Sequence, residues 1–229
     1  MSVIGPLARD ADDLAAVLDV LADIPLPRAR GIAPPTLRIL VITSHPIAPV
    51  SSTIRDGIDA VADALAAAGA TIERTTPLLP DLAQQFANYM RLLAVTLARG
   101  APADDGTVAT LPDWLAMLDD QARNTRAWHR LFADYDAVIA PALGTQAYPH
   151  SDATIRDRTL TINGEKTPFG LQFAFPGLAT YPGLPATAMP IGRAAKDPGG
   201  LPVGCQIIAD RYQDHKAIAI AKYAHELMR

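Results

Sequence analysis

Two short apolar runs near the C-terminus, residues 186–191 (ATAMPI) and 203–209 (VGCQIIA), constrain the fold more than any other stretch. Both are too short for a stable helix and are bounded by Gly and Pro, so they are expected to form buried strands joined by a surface excursion. Pro185 and Pro190 have no N–H to give to a ladder, which confines them to strand ends or to a sheet edge. Gly183, Gly200 and Gly204 mark turns or close approaches of backbone to backbone. Strands of this kind need neighbours beside them and helices above them.

Upstream segments supply both. Residues 37–43 (LRILVIT) form the nearly continuous apolar run of a strand buried on both faces. Residues 52–68 then place Ile54, Ile58, Val61, Ala62, Leu65 and Ala68 on one helical face, with Gly69 as the stop signal. Residues 71–75 follow as a short strand, and strand, helix, strand at this spacing implies a crossover between parallel strands. Ligands in such sheets sit beyond the carboxyl ends of the strands, which draws attention to the loop at 44–51. The simpler reading of Ser51 or Ser52 is as a helix cap.

The remaining chain continues the alternation. Asp10 is placed to cap a core-facing helix carrying Leu14, Val17, Leu18 and Leu21, with Asp12 and Asp13 in its first turn. Two longer helices follow the 71–75 strand. One has a stripe of Leu82, Phe86, Met90, Leu93 and Leu97; the other has Leu111, Leu115, Leu118, Ala122, Thr125 and His129. The polar segment 100–110 between them reads as a loop. Residues 136–143 (DAVIAPAL) make another buried strand. Asn163-Gly164, set between residues 159–162 and 165–168, is the strongest hairpin signal, because this dipeptide suits a two-residue type I′ turn. Asp214 is expected to cap a last helix burying Ala217, Ile218, Ala221, Ala224 and Met228. The fold class is therefore α/β, with a mixed, partly parallel sheet covered by helices.

Composition narrows the function classes. A chain of 229 residues with 49% hydrophobic residues can build one sizeable core. Its net charge of −4 argues against a nucleic-acid partner or an anionic membrane surface. No apolar run is long enough to span a bilayer and no secretory leader is evident, so a cytoplasmic setting is expected. The single cysteine, Cys205, lies inside an apolar run and reads as a buried small hydrophobe rather than a nucleophile.

The run Y-P-G-L-P-A-T at 181–187, followed by G-L-P-V-G-C-Q-I-I-A-D at 200–210 and a closing helix, resembles the C-terminal signature of the amidase-signature hydrolases. Two further stretches are similar to that family: G-P-L-A-R at 5–9, and N-T-R-A-W-H-R-L-F-A-D-Y-D-A-V-I-A-P at 124–141. The resemblance places residues 1–229 in the C-terminal portion of an amidase-signature domain, with the nucleophile half absent. It implies amide-bond hydrolysis in the complete enzyme, acting on a small-molecule amide. It also implies a partner, an amidase N-terminal half in the same or a separate chain, or self-association in its place. No metal or organic cofactor is implied, since serine-based amide hydrolysis needs none.

Enzymes of that family use two serines and a lysine, the nucleophile lying in a Gly/Ser-rich segment that helps hold the oxyanion. This chain has no such segment. The adjacent pair Ser51-Ser52 lacks a flanking glycine, and none of Lys166, Lys196, Lys216 and Lys222 precedes the serines as the family's lysine does. No catalytic residue is therefore carried over. Ser44-His45 has no nucleophile elbow around it, His225-Glu226 lacks a second histidine at metal-ligand spacing, and His129 reads as a partly buried, hydrogen-bonded side chain. Tyr181, Gly183 and Pro185 are the candidates for a substrate-channel wall, with a packed core aromatic as the other reading of Tyr181. The alternative function is a non-catalytic binding or assembly module on the same scaffold. Loops 100–110 and 142–158 would select the substrate. The apolar strands at 39–42 and 138–140 carry no guarding charge, so an isolated half-domain is expected to self-associate.

Overall fold

A strand buried on both sides shows alternate side chains to opposite faces, and this alternation divides the core in two. In the computed structural model, which describes residues 4–102, 106–193 and 200–229, Ile39, Val41, Ala137, Ile139, Cys205 and Ile207 face one layer. Leu40, Ile42, Val138, Ala140 and Ile208 face the other. The strands are β1 (Arg38–Val41), β2 (Thr71–Glu73), β3 (Ala137–Pro141), a separate hairpin of β4 (Thr159–Ile162) and β5 (Glu165–Pro168), then β6 (Ala186–Arg193) and β7 (Pro202–Ile208). The main sheet has five strands in the order β2-β1-β3-β7-β6. β1 runs parallel to β2 and β3, whereas β7 is antiparallel to both β3 and β6. The mixed, partly parallel sheet expected from the sequence is thus the observed one.

Helices cover both faces. α2 (Ser52–Ala67) and α6 (Asp214–Leu227) bury Ile54, Ile58, Val61, Ile220 and Ala224 against the first layer. α3 (Leu82–Ala98), α4 (Leu111–Leu131) and the short α5 (Ala174–Thr180) cover the second, where Trp128 and Leu131 are fully enclosed. α1 (Ala11–Leu21) packs outside the sheet, on α6. Parts of loop 100–110 and of the β6–β7 connection, Lys196 included, lie outside the described residues.

Several helical faces differ from the expected ones. α1 is capped by Asp10, whose Oδ1 accepts from the Asp12 N–H at 2.7 Å, but it is not a core helix. None of its residues is buried and Val20 is 84% exposed. An ion pair between Asp12 and Lys222 at 2.6 Å and a hydrogen bond between Asp19 and His215 at 2.9 Å fasten it to α6. α3 buries Leu82, Gln85, Tyr89 and Leu92, one position off the all-apolar stripe. α4 turns Leu111, Leu115 and Leu118 to solvent and buries Met117, Trp128 and Leu131. The N-cap of α6 is Gln213, so Asp214 is its first helical residue, where a carboxylate still favours the positive helix end.

The sheet edges also differ from expectation. Residues 39–42 and 138–140 belong to interior strands, and the edges are β2 and β6. β2 is three residues long, and its Glu73 is held by Arg38 at 2.8 Å and the Tyr135 hydroxyl at 2.6 Å. β6 carries Pro190 and a register shift before Arg193. A short edge, a proline and a bulge all oppose strand addition.

Polar groups inside the helical layer converge on Gln85, which is 3% exposed. Its Nε2 donates to the Gly177 carbonyl at 3.0 Å, while its Oε1 accepts from the Trp128 indole at 2.8 Å and from Asn124 Nδ2 at 3.1 Å. One amide thereby joins α3, α4 and α5, which explains why the stripe of α3 is offset. Gln85→Leu should lower unfolding stability in urea by about 3 kcal/mol, because the Trp128 and Asn124 donors lose their buried acceptor. An unchanged midpoint would show that water enters this layer.

Candidate active-site groove

Parallel strands bring their carboxyl ends, and the loops that follow them, to one side of a sheet. β1 runs into loop 42–51 and then α2; β3 stops at Pro141 and runs through 142–158 into the β4–β5 hairpin. Asn163 and Gly164 make the expected tight turn, with φ of 54° and 87°. That turn folds back onto α2. Asn163 Oδ1 accepts from the Ser52 N–H at 2.9 Å, and its Nδ2 donates to the Val50 carbonyl at 2.9 Å. Ser51 occupies the N-cap position but its hydroxyl makes no capping bond, so a hairpin side chain far along the sequence caps this helix instead. Between α2, the hairpin and residues 145–151 lies a groove of about 650 Å³.

One side chain sets the edge of this groove. Gln172 is 1% exposed. Its Oε1 accepts from the Gly144 N–H at 2.9 Å and its Nε2 donates to the Pro49 carbonyl at 3.2 Å. The Gly144 carbonyl in turn accepts from the Ser51 N–H at 2.7 Å. The two strand-end loops are therefore locked together, and Gly144 has no room for a side chain. A Cβ there would stand 2.5 Å from both the Phe175 ring and the Pro49 carbonyl oxygen.

The groove wall is rich in hydroxyls, with Ser51, Ser52, Thr145, Tyr148 and Thr161 among its lining. Arg158 is its one charged lining side chain apart from any charge on His150. The guanidinium lies over the rings of Tyr148 at 5.7 Å and Phe169 at 5.4 Å, and Nη2 donates to the Ser151 carbonyl at 2.6 Å. Its Nε–H is buried without a hydrogen-bond partner.

Next to the loop junction, His45 packs edge-on against Phe175 and Phe86, with ring centroids 5.9 and 6.4 Å away. Its Nδ1 accepts from the Ile47 N–H at 3.2 Å, which leaves the proton of the neutral ring on Nε2. Burial lowers its pKa to about 4. Cys205 is fully buried and burial pushes its thiol up to about 12, consistent with an inert core residue.

The other residues singled out from sequence lie elsewhere. Tyr181 is 1% exposed, in a cluster with Tyr89, Leu92 and Met117, and burial raises its phenol to about 12. Its hydroxyl lies near Asn88 but completes no hydrogen bond. The turn that follows is tied to α4: Gln121 Nε2 donates to the Tyr181 carbonyl at 2.7 Å and the Thr125 hydroxyl to the Pro182 carbonyl at 3.0 Å. Gly183 is exposed with φ of 70°, and Pro185 is half-buried. His129 is exposed rather than partly buried, paired with Asp210 at 2.7 Å. Lys216 and Lys222 are taken up by ion pairs with Asp136 and Asp12. Sequence reasoning named the 142–158 loop but not Arg158, Gly144 or Gln172, whose roles depend on contacts across distant segments.

Two outcomes follow from this junction. Gly144→Ala should destabilise the fold by about 2 kcal/mol, since neither backbone carbonyl nor packed ring can retreat freely; a thermal melt reads it. His45 should titrate near 4 by NMR rather than at the usual 6.5. Its folded pKa lies below the unfolded one, so its contribution to stability is complete above pH 6.5 and declines as pH falls toward 4. A midpoint near 6.5 would mean that the ring is solvated.

Comparison with known proteins fits this architecture. Residues 97–218 match the family model described as Amidase. Indoleacetamide hydrolase of Bradyrhizobium japonicum is 25% identical, over 96% of this chain and 51% of its own length. Fatty-acid amide hydrolase 2 of Homo sapiens is 29% identical over 51% of this chain and 22% of its own. Among solved structures, a fatty acid amide hydrolase superposes with a TM-score of 0.75 at 16% identity, covering 98% of this chain and 48% of that one. A 6-aminohexanoate cyclic dimer hydrolase gives 0.71 at 20% identity, covering 96% and 54%. The chain thus spans about half the length of the relatives that it matches end to end. With a family match over more than half of its residues and the same fold, the chain belongs to the amidase family.

Proposed function

We propose that residues 1–229 form one part of a single amidase-signature domain, and that the chain serves amide-bond hydrolysis when joined to a nucleophile-bearing half. The observation that supports this most is the extent of the match, which runs along nearly the whole chain yet accounts for about half of the indoleacetamide hydrolase and fatty acid amide hydrolase chains. The amino-terminal segment adds a physical reason. Ile4 and Leu7 are 98% and 99% exposed, and Val17, Val20, Leu21 and Ile24 also face outward, as apolar groups do when a second body normally covers them. Every lysine of the chain follows every serine in sequence, the reverse of the family's order, and Lys216 and Lys222 are committed to carboxylates, so in this reading the serine, serine and lysine chemistry belongs to the partner half.

In this reading the substrate is a small amide and the groove forms part of the channel wall, while Tyr181, Gly183 and Pro185 lie at the opposite end of β3 and would contribute only to a surface completed by the second half. No nucleic acid takes part. Among the described residues no helix is long and apolar enough to cross a membrane, and a cytoplasmic setting belongs to the proposal.

The chain alone should hydrolyse indole-3-acetamide or a fatty-acid amide no faster than buffer, a deficit on the order of a millionfold against a complete enzyme. Co-expression with an amidase N-terminal half should restore turnover and remove self-association seen by analytical ultracentrifugation. Turnover by the chain itself, abolished in Ser44→Ala, would overturn the reading. A compact monomer that binds no hydrophobic dye and gains nothing from the second half would instead favour a non-catalytic binding module.

A further inference from the structure

The groove between α2 and the β4–β5 hairpin has an electrostatic character of its own. The chain carries a net charge of −4, yet neither Asp nor Glu lines this groove. Arg158 has no carboxylate in ion-pair range among the described residues; Arg9, Arg55 and Arg130 share that lack but are exposed, whereas Arg158 is half-buried. A guanidinium left without a counter-charge is held in place nonetheless: the mutually packed Tyr148 and Phe169 rings support it from one side and the Ser151 carbonyl fixes one nitrogen. Such stacking and tethering remove the rotamer entropy that a ligand would otherwise have to overcome. The N-terminal end of α2, at Ser52, opens onto the same groove and adds positive potential.

We propose that the groove binds a small ligand through a carboxylate, with Arg158 as the anchoring cation and the hydroxyls of Thr145, Ser51 and Thr161 holding the rest of its polar surface. A carboxylate matches the planar fork of a guanidinium and can accept from it while neighbouring hydroxyls satisfy its remaining lone pairs. The ligand class follows from this chemistry: an amide that carries a carboxylate, in preference to a neutral one. Naming that ligand a substrate rests on the amide-hydrolase reading; the anchor itself does not.

Calorimetric titration of the full chain distinguishes the two, because binding is measured without turnover. N-acetylglycine and its neutral counterpart N-acetylglycinamide differ only in the group that Arg158 would meet. N-acetylglycine should bind more tightly by roughly tenfold or more, and Arg158→Gln should reduce it to the level of the neutral compound. Arg158→Lys, which keeps the charge but loses the fork, should fall between. Equal binding of the two compounds, absence of binding by either, or unaltered affinity in Arg158→Gln with an unchanged melt overturns the proposal. Tighter binding of inorganic phosphate than of N-acetylglycine also overturns it, in favour of a phosphate site. If Arg158→Gln does not fold, the paired ligands on the unaltered chain and on Arg158→Lys still decide. Failure of co-expression to restore turnover would sink the hydrolase reading while leaving a measured carboxylate preference intact.

Discussion

Every backbone amide and carbonyl that leaves a buried strand must find a new partner, and in this protein three enclosed glutamines meet that demand. Gln206 on β7 donates to the carbonyls of Pro141 and Phe175, at 2.8 and 2.9 Å, so the end of β3 and the start of α5 share one side chain. Gln172 joins the loops that follow β1 and β3. Gln85 joins the three helices of the second layer. A primary amide suits this task, since it offers both donors and an acceptor at the end of a flexible stem and carries no charge to desolvate. Replacing any of them with an apolar residue of similar size would strand carbonyls or N–H groups where water cannot reach.

The same constraint shapes the groove. Its edge is a place where two strand-end loops, a hairpin turn and a short helix meet, and each contact is made by backbone or by a side chain from another segment. Gly144 allows the closest approach, and Asn163 supplies the helix cap that Ser51 does not. The outcome is a wall assembled from residues 51–52, 145–151 and 158–163, rigid where Gln172 holds it and polar where the hydroxyls of loop and hairpin face inward. A ligand entering there meets one fixed cation and no carboxylate.

Away from the groove, the balance between layers is uneven. Both faces of the sheet are well covered, with Ile39, Val138, Ile139 and Ile207 wholly enclosed, and the edge strands are short or interrupted. The amino-terminal segment is different. α1 is held to α6 by the part-exposed Asp12–Lys222 ion pair, the Asp19–His215 hydrogen bond and the partly buried Leu14 and Leu18, and an exposed ion pair contributes little on its own. Apolar side chains on α1 and before it face outward, as do Leu97, Leu111 and Leu115 on α3 and α4.

Local signals were sufficient wherever a few adjacent residues decide the conformation. The sequence by itself determined β1, β3, β7, α2 and the Asn163-Gly164 hairpin, because continuous apolar runs, a single helical stripe with a glycine stop and a turn dipeptide each admit one conformation. It also identified the family through the C-terminal run. Choosing between neighbouring stripes was beyond it. α3 and α4 each carry two plausible faces about 100° apart, and only the tertiary structure turned Leu111, Leu115 and Leu118 outward, because Gln85, Trp128 and the close contact of Tyr89 with Gly177 fix the helices' rotation. The short helix at 174–180, for which the sequence offered no signal, is tied to the sheet by the Gln206 bond to the Phe175 carbonyl and by the buried Phe175 ring. The groove was decided at that level: Arg158, Gly144 and Gln172 carry no motif, Asn163 was legible only as a turn residue, and all acquire their roles when parallel strands bring their loops to the same end of the sheet.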